Sequence, residues 1–257
     1  MAPVPDMQYA EVRARCGACI HPARSAGQAD LYELDWEGRP ALLKDFSQRP
    51  RLVRWLFSRR IAAREVRMLR RLEGLEGTPR LLATAGPEAF VMERLPGERI
   101  PNRKRGGPPA IFWANARALL DQLHARGVAH GDLRRKNILA GPNGEAYLID
   151  FATAIRRDTP GGGRGSWLGG YLFKRCRTID RNSFARIKAQ YAPEALDATE
   201  RRWLEQMPLY LRVGRMLKKR VYRLRKRRYW RKRVKWVKWL RRKLRARKSQ
   251  GRRRSRG

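Results

Sequence analysis

The sequence predicts an α+β protein with two lobes and a basic tail. Strand-like apolar runs, with one amphipathic helix among them, fill the first third of the chain. Helical spacing dominates the part that follows. Charge is uneven as well: the formal net charge is +38, and residues 206–257 contain 25 lysines and arginines and no acidic residue. We therefore expect a first lobe over 1–94, a second over 95–207 and a tail over 208–257.

The elements of the first lobe are predicted from local patterns. Residues 31–36 and 41–46 alternate between apolar and polar side chains on either side of a short glycine-containing turn, which indicates a hairpin. Residues 51–72 carry apolar side chains at helical spacing among many arginines and are expected to form an amphipathic helix with at most one break. The apolar runs 81–85 and 89–92 are expected to be strands.

The second lobe is expected to begin with a helix over 111–126 that ends at Gly127. A small hairpin follows, with strands at 138–139 and 146–149. Residues 156–170 are rich in Gly and Arg and are expected to be mobile. Residues 179–191 and 199–207 are expected to form two further helices.

Composition excludes several classes. The 257 residues are 42% hydrophobic and include eight tryptophans and 22 glycines, so the chain is neither collagen-like nor wholly disordered. Three cysteines do not make a secreted disulfide framework. The first residues lack the pattern of a signal peptide, and no run of eighteen apolar residues occurs, so we expect a cytoplasmic protein.

The residues that carry chemistry lie between 123 and 151. Asp132 and Asn137 share one loop between a helix and a strand, and Asp150 ends the partner strand of the following hairpin. The hairpin is expected to bring Asp150 beside Asn137. A carboxylate and an amide oxygen that leave open positions suit Mg²⁺ carrying the phosphates of a nucleotide. Asp132 is then free to accept a proton from an attacking hydroxyl.

This arrangement resembles the catalytic loop and metal-binding motif of protein kinases. Kinases place an Asn after an Asp and four intervening residues, and an Asp-Phe pair after the short hairpin that follows. Asp132, Asn137 and Asp150-Phe151 have this spacing. Gly131 stands where ordinary protein kinases have Arg, and with this change the loop resembles that of atypical branches. These branches are RIO-type kinases, aminoglycoside and choline kinases, and bacterial lipopolysaccharide-core sugar kinases. The resemblance covers about residues 20–195. It implies a two-lobed protein-kinase-like fold, with a small, mostly antiparallel β lobe and a helical lobe.

The resemblance also implies roles for individual residues, with ATP and Mg²⁺ as cofactors. Asp132 is the catalytic base, Arg134 steadies the transferred phosphoryl group, and Asn137 and Asp150 hold the metal. The remaining implied nucleotide-binding residues are Lys44 on the phosphates, Glu65 as its ion-pair partner, Glu93 at the adenine hinge and Gly27 in the loop over the phosphates. The alternative for Lys44 is a solvated strand lysine, although the downstream motif favours the functional role, and Glu65 pairs equally well with a neighbouring arginine on its own helix.

Three departures from the kinase pattern bear on the substrate. No G-x-G-x-x-G motif precedes Lys44, and Ala152 replaces the glycine that usually follows Asp-Phe. No Ala-Pro-Glu motif closes the segment after Asp150, which argues against a platform for protein substrates and for a small or lipid-linked acceptor.

The tail alternates bulky apolar and cationic side chains. Trp230, Trp236 and Trp239 lie among its lysines and arginines, as in an amphipathic helix at a membrane interface. An anionic membrane surface is therefore the expected partner of 208–257. Nucleic acid is the rival partner, since a polycation also binds phosphate backbones, and a solvated charge run is the third interpretation.

Together these observations predict a kinase that transfers the γ-phosphate of ATP to a hydroxyl. The expected acceptor is a lipid-linked sugar of the lipopolysaccharide core, at the cytoplasmic face of the membrane. One alternative is a RIO-like serine/threonine protein kinase. Another is a non-catalytic pseudokinase adaptor that binds membrane or RNA through its tail, although Lys44, Asp132, Asn137 and Asp150 are all retained.

Overall fold

The computed structural model describes residues 3–23, 28–103, 106–158 and 165–205. Its helices are α1 Tyr9–Ala14, α2 Arg51–Val53, α3 Arg59–Arg71, α4 Ala110–Ala125, α5 Gly165–Tyr191 and α6 Ala198–Glu205. Its strands are β1 Cys16–His21, β2 Asp30–Trp36, β3 Arg39–Asp45, β4 Leu81–Thr84, β5 Ala89–Glu93, β6 Glu98–Arg99, β7 Val128–Ala129, β8 Ile138–Ala140, β9 Ala146–Leu148 and β10 Ile155–Arg156. A π-helical turn, Arg54–Ser58, joins α2 to α3.

The first lobe is a five-stranded antiparallel sheet covered by α3. Its strand order is β1-β2-β3-β5-β4. The predicted β2–β3 hairpin is present, and both residues of its turn have positive φ, 54° at Glu37 and 76° at Gly38, as a tight two-residue hairpin turn requires. The sheet matters for the site because β3, which carries Lys44, lies at its centre between β2 and β5.

The second lobe is mainly helical. Helix α4 ends at Ala125, with Arg126 as its C-cap, because Gly127 adopts φ 74° and donates its N–H to the His124 carbonyl. Strands β8 and β9 form the predicted small hairpin, with Ile138 opposite Leu148. Two short strands, β7 before this hairpin in the sequence and β10 after it, pair with each other.

One apolar core joins the two lobes. Side chains of α3, β5, α4, the β8–β9 hairpin and α5 contribute to it, among them Leu69, Phe90, Phe112, Leu148 and Phe184, all at most 1% exposed. Because strand, hairpin and helix share this core, burial of apolar surface fixes the lysine-bearing sheet against the loops that carry the predicted acidic residues.

The predicted α+β, two-lobed class is confirmed, one local prediction is corrected, and two elements were not predicted. Helix α5 begins at Gly165, so residues 165–170 are helical rather than part of a mobile stretch. Residues Tyr9–Ala14 and Cys16–His21 form a helix and an edge strand that the sequence patterns did not indicate. Gly27 and the tail 208–257 lie outside the described residues.

Candidate active site

The centre of the site is an ion pair between the sheet and α3. The Lys44 Nζ lies 2.8 Å from both carboxylate oxygens of Glu65. Glu65 is 1% exposed and projects from the inner face of α3. Of the two alternatives for each residue, the structure therefore shows Glu65 paired with Lys44 rather than with an arginine of its own helix, and Lys44 pointing inward rather than into solvent.

Asp150 is the third member of this cluster. Its Oδ1 accepts a hydrogen bond from the Lys44 Nζ at 3.3 Å, across a sequence separation of 106 residues. Asp150 has φ 70°, in the left-handed region that non-glycine residues rarely adopt, and it immediately precedes a single 3₁₀ turn, Phe151–Thr153. Strained backbone of this kind is common at active sites, where it directs a side chain toward a defined partner.

Lys44 and Asp150 hold their charges at neutral pH, whereas burial raises the pKa of Glu65 despite the Lys44 ammonium beside it. Burial alone would lower the pKa of Lys44, but the carboxylates of Glu65 and Asp150 outweigh burial and raise that pKa above its ordinary value. Burial alone would raise the pKa of Asp150, but the Lys44 ammonium outweighs it and the pKa of Asp150 is lowered. Asp150 therefore stays ionised, as a metal or phosphate-facing carboxylate must.

Asn137 lies beside Asp150 because of the β8–β9 hairpin. The backbone N–H of Ile149, one residue before Asp150, donates to the Asn137 carbonyl at 3.0 Å. The Asn137 side chain is buried, and its amide Nδ2 donates to the Asp132 carbonyl at 3.0 Å. With the amide nitrogen engaged there, the amide oxygen is the atom that is available as a ligand.

These two side chains fit Mg²⁺. Mg²⁺ is usually held by one or two protein carboxylates together with substrate phosphates, rather than by a complete protein cage. A single carboxylate and a single amide oxygen are such an incomplete donor set. Among the described residues no cluster of three or more His, Cys, Asp or Glu side chains with metal-binding geometry occurs, so a fully protein-ligated metal is not built here.

Asp132 and Arg134 occupy the loop that precedes Asn137. Arg134 Nε lies 2.5 Å from Asp132 Oδ1, and the Asp132 side chain is 25% exposed. The aspartate is thus held at the surface of the cleft, where an acceptor hydroxyl can reach it. The neighbouring Arg135 donates to the Ile100 carbonyl at 2.9 Å and ties the loop to the segment between the lobes.

A buried carboxylate, Asp180 of α5, fixes this loop. It accepts backbone hydrogen bonds from His130 at 2.7 Å and from Gly131 at 2.9 Å, and a third from His124 Nε2 at 3.2 Å. Asp180 lies well inside α5, so it is an anchor for this loop rather than the N-cap of a helix.

His130 is a second buried residue that holds the Asp132 loop in place. The sequence patterns did not indicate a role for it. It is fully buried, and because a carbonyl only accepts, its Nε2 must donate to the Ile149 carbonyl at 2.9 Å. One imidazole therefore connects the Asp132 loop to the residue that precedes Asp150. The only sequence signal for this role is the position of His130 directly before Gly131-Asp132 in the motif.

One predicted nucleotide-binding residue, Glu93, is not part of this cluster. Glu93 ends β5, where its carboxylate accepts the Arg80 N–H at 3.2 Å and its own N–H donates to the Arg80 carbonyl at 2.9 Å. Gly27 lies outside the described residues. The structure therefore assembles Lys44, Glu65, Asp132, Arg134, Asn137 and Asp150, and leaves adenine and loop contacts as predictions.

Chemically, the arrangement can bind and polarise a phosphate ester. A lysine held by two carboxylates supplies positive charge, two oxygen donors suit a divalent cation, and a nearby partly exposed aspartate can take a proton.

Comparison with known families and curated proteins finds kinases. The family model of the RIO domain matches residues 43–164, slightly less than half of the chain. Curated relatives are 3-deoxy-D-manno-octulosonic acid kinases of Xylella fastidiosa: the protein of strain M23 is 36% identical over 64 residues, and that of strain M12 is 34% identical over 64 residues. Each match covers 24% of this chain and 26% of the relative, so the chain spans about a quarter of the length of these relatives.

Solved structures with the same fold are also kinases. The Rio2 kinase from Chaetomium thermophilum superimposes with a TM-score of 0.50 and 18% identity, over 71% of this chain and 60% of that one. Its ADP/Mg²⁺-phosphoaspartate complex gives a TM-score of 0.50 and 20% identity, over 71% of this chain and 58% of that one. At this identity the likeness shows the fold, which is the two-lobed kinase-like fold.

Proposed function

We propose that this chain, which belongs to an atypical branch of the protein-kinase-like superfamily, transfers the γ-phosphate of ATP to a hydroxyl group. The observation that carries the proposal is the position of Lys44 between Glu65 and Asp150, 2.8 Å and 3.3 Å from their carboxylate oxygens. An atypical kinase needs a lysine held in this way to neutralise nucleotide phosphates. The solved neighbour bound to ADP and Mg²⁺ supports the same nucleotide chemistry.

Each residue of the cluster then has one task. Lys44 binds the α- and β-phosphates, while Asn137 and Asp150 hold Mg²⁺, which when bound neutralises charge on the phosphates. Asp132 accepts the proton of the acceptor hydroxyl as the oxygen attacks the γ-phosphorus and the bond to the β-phosphate oxygen breaks. Arg134 holds the Asp132 carboxylate in place. Glu93 and Gly27 are proposed to contact adenine and phosphates.

The acceptor we favour is a hydroxyl of an acidic sugar in the lipopolysaccharide core. The curated relatives are named as kinases of 3-deoxy-D-manno-octulosonic acid, and they share a quarter of their length with this chain. The missing Ala-Pro-Glu motif points in the same direction, since protein kinases use that segment to seat a peptide.

A RIO-like serine/threonine protein kinase is the second candidate. The match of the RIO domain to residues 43–164, which include Lys44, Asp132 and Asp150, favours it. A non-catalytic adaptor of the same fold would keep the lysine pair but show no transfer. These alternatives differ in the molecule that becomes labelled.

We further propose the domain limits 1–94, 95–207 and 208–257, with the last range on an anionic membrane surface at the cytoplasmic face. The support is compositional: 25 cations, interspersed tryptophans and no acidic residue. Nucleic acid is the competing partner for the same range. Among the described residues, no helix combines the length and the apolar character needed to cross a bilayer.

The test is transfer of radiolabel from [γ-³²P]ATP into matched lipid and protein extracts. We expect labelled lipopolysaccharide precursor and no labelled protein, and no label with Asp132→Asn. Labelled protein at serine or threonine would favour the RIO-like candidate. Absence of label in both extracts, together with no nucleotide-induced rise in melting temperature, would contradict the enzyme and leave the adaptor.

A further inference from the structure

The outer side of the segment 51–67 presents large apolar side chains and arginines to solvent. We define a basic-aromatic surface by its exposed members, which are Arg51, Leu52, Trp55, Phe57, Arg60, Arg64 and Arg67. The surface starts in α2, runs through the π-helical turn and continues along α3. None of these residues belongs to the site built around Lys44.

The three apolar members are unusually exposed for a folded domain. Leu52 is 67%, Trp55 64% and Phe57 58% exposed, and all three lie within six consecutive residues. Single exposed apolar side chains need no explanation, but three within six residues, flanked by arginines, indicate an interaction site.

Packing on the inner side prevents these side chains from turning inward. Arg54 donates to the Ser47 carbonyl at 2.9 Å and pairs with Glu88 at 3.5 Å, and Arg59 donates to the same carboxylate at 2.9 Å. Ser58 and Ala62 are buried against the lobe. The π-helical turn, a feature frequent at functional sites, is thus clamped with its apolar side chains facing water.

The positive charge on this surface is not compensated within the described part of the chain. Arg51, Arg60, Arg64 and Arg67 are exposed and form no ion pair among the described residues. The one acidic residue between positions 46 and 72 is Glu65, which is buried against Lys44. The tail has no acidic residue with which to neutralise them.

We propose that the basic-aromatic surface docks on an anionic lipid bilayer. Leu52, Trp55 and Phe57 would enter the headgroup region while the arginines contact lipid phosphates, which is the division of labour in interfacial helices. A nucleic-acid backbone would be matched by the arginines but would leave the aliphatic Leu52 in water. A second copy of the chain would bring like charges together.

The inference goes beyond the proposed function, because lipid docking through the first lobe requires neither phosphate transfer nor the tail. It adds a consequence for the site. Glu65 lies on the inner face of α3 and Arg64 and Arg67 on the outer side, so the helix that holds Lys44 is also the one that meets lipid.

The experiment uses the full chain and a local probe, because the tail is expected to bind vesicles by itself. Cys16, Cys19 and Cys176 are replaced by Ser, and an environment-sensitive fluorophore is placed at Phe57→Cys or, as the matched control, at the exposed Ala195→Cys. Vesicles contain phosphatidylglycerol and phosphatidylethanolamine, with or without a lipid-chain quencher. We expect a blue shift and quenching at position 57 and neither at position 195.

Three results would overturn the proposal. One is flotation of the labelled protein with vesicles while the probe at position 57 stays unshifted and unquenched. A shift with an RNA homopolymer but not with vesicles would assign the surface to nucleic acid, and a concentration-dependent shift without vesicles would assign it to a second copy. The triple change Arg60→Ser, Arg64→Ser and Arg67→Ser should weaken quenching at position 57 by about tenfold. The exposed Arg202→Ser should leave it unchanged, and equal quenching in both proteins would also contradict the proposal.

Discussion

Lys44 and Glu65, on a strand and a helix separated by 21 residues, meet through two hydrogen bonds of equal length, 2.8 Å each. The pair is buried, so each partner depends on the other to offset the cost of removing charge from water. This relationship makes the position of α3 a direct determinant of where Lys44 lies.

Glu65→Gln should therefore lower the rate of phosphate transfer by about 100-fold, because Lys44 would lose its ion-pair partner and no longer be held in position to neutralise the phosphates. Loss of one partner of the buried pair should also destabilise the fold by about 3 kcal/mol. Steady-state transfer and urea unfolding check both effects. Arg70→Gln, an exposed residue of the same helix outside the basic-aromatic surface, is the control and should change neither; equal loss in both variants would contradict the assigned role.

Asp180→Asn should loosen the Asp132 loop. An amide has one oxygen acceptor in place of two, so at least one of the hydrogen bonds from the N–H groups of His130 and Gly131 is lost from a buried site. We expect a loss of about 2 kcal/mol in the free energy of unfolding and slower transfer with little change in nucleotide affinity. Asp121→Asn, a partly exposed carboxylate on α4, serves as the control.

Gly131→Ala tests the close approach of the loop to the segment after Asp150. Gly131 has φ 75°, and a Cβ there would lie 2.8 Å from the Thr153 carbonyl oxygen. Gly86 has nearly the same φ, 72°, but a Cβ there would meet no atom within 4 Å. Gly86→Ala should thus cost about 1 kcal/mol, for backbone strain alone. Gly131→Ala should cost about 2 kcal/mol more and abolish transfer. Equal melting temperatures for the two variants would contradict this packing.

The ion cluster predicts that its contribution to stability has a maximum near neutral pH. The pKa of Asp150 is lowered, so its contribution is present above the unfolded value of about 4 and is lost as the pH falls through the lower folded value. The pKa of Lys44 is raised, so its contribution is present below about 10.4 and is lost as the pH rises through the higher folded value.

The free-energy difference between wild type and Lys44→Met should accordingly be largest near neutral pH and shrink on both sides, first on the acid side because burial raises the pKa of Glu65. Chemical unfolding at acid, neutral and alkaline pH measures this difference, with the exposed Lys174→Met as a pH-independent control. A difference that grows steadily toward acid pH would mean that Lys44 is not held by carboxylates.

Much of this site follows from the sequence because its parts are local. The spacing from Asp132 to Asn137 and the β8–β9 hairpin fix which side chains share the loop, and the hairpin forms as predicted. The partner of Lys44 cannot be predicted from the sequence, because Glu65 lies on an arginine-rich helix and could pair equally well with an arginine of that helix. Only the packing of α3 on the sheet, with Ala62, Met68 and Leu69 inward, selects the lysine.

The start of α5 was missed for a related reason. Gly165, Gly169 and Gly170 have low helix propensity and suggested a loop, yet they belong to a helix that continues to Tyr191. Strand β1 was missed because most of its side chains are exposed and it has no alternation to detect; it is an edge strand fixed by pairing with β2. In both cases tertiary contacts override the local pattern.

The most direct test of the central claim compares nucleotide binding with phosphate transfer in Asp132→Asn. Wild type and variant should show the same Mg²⁺-dependent rise in melting temperature with ATP, because Lys44, Asn137 and Asp150 are intact. The rate of transfer in the variant should fall by about 1,000-fold, because no carboxylate accepts the acceptor proton. Transfer at the wild-type rate, or loss of ATP binding together with transfer, would contradict the account.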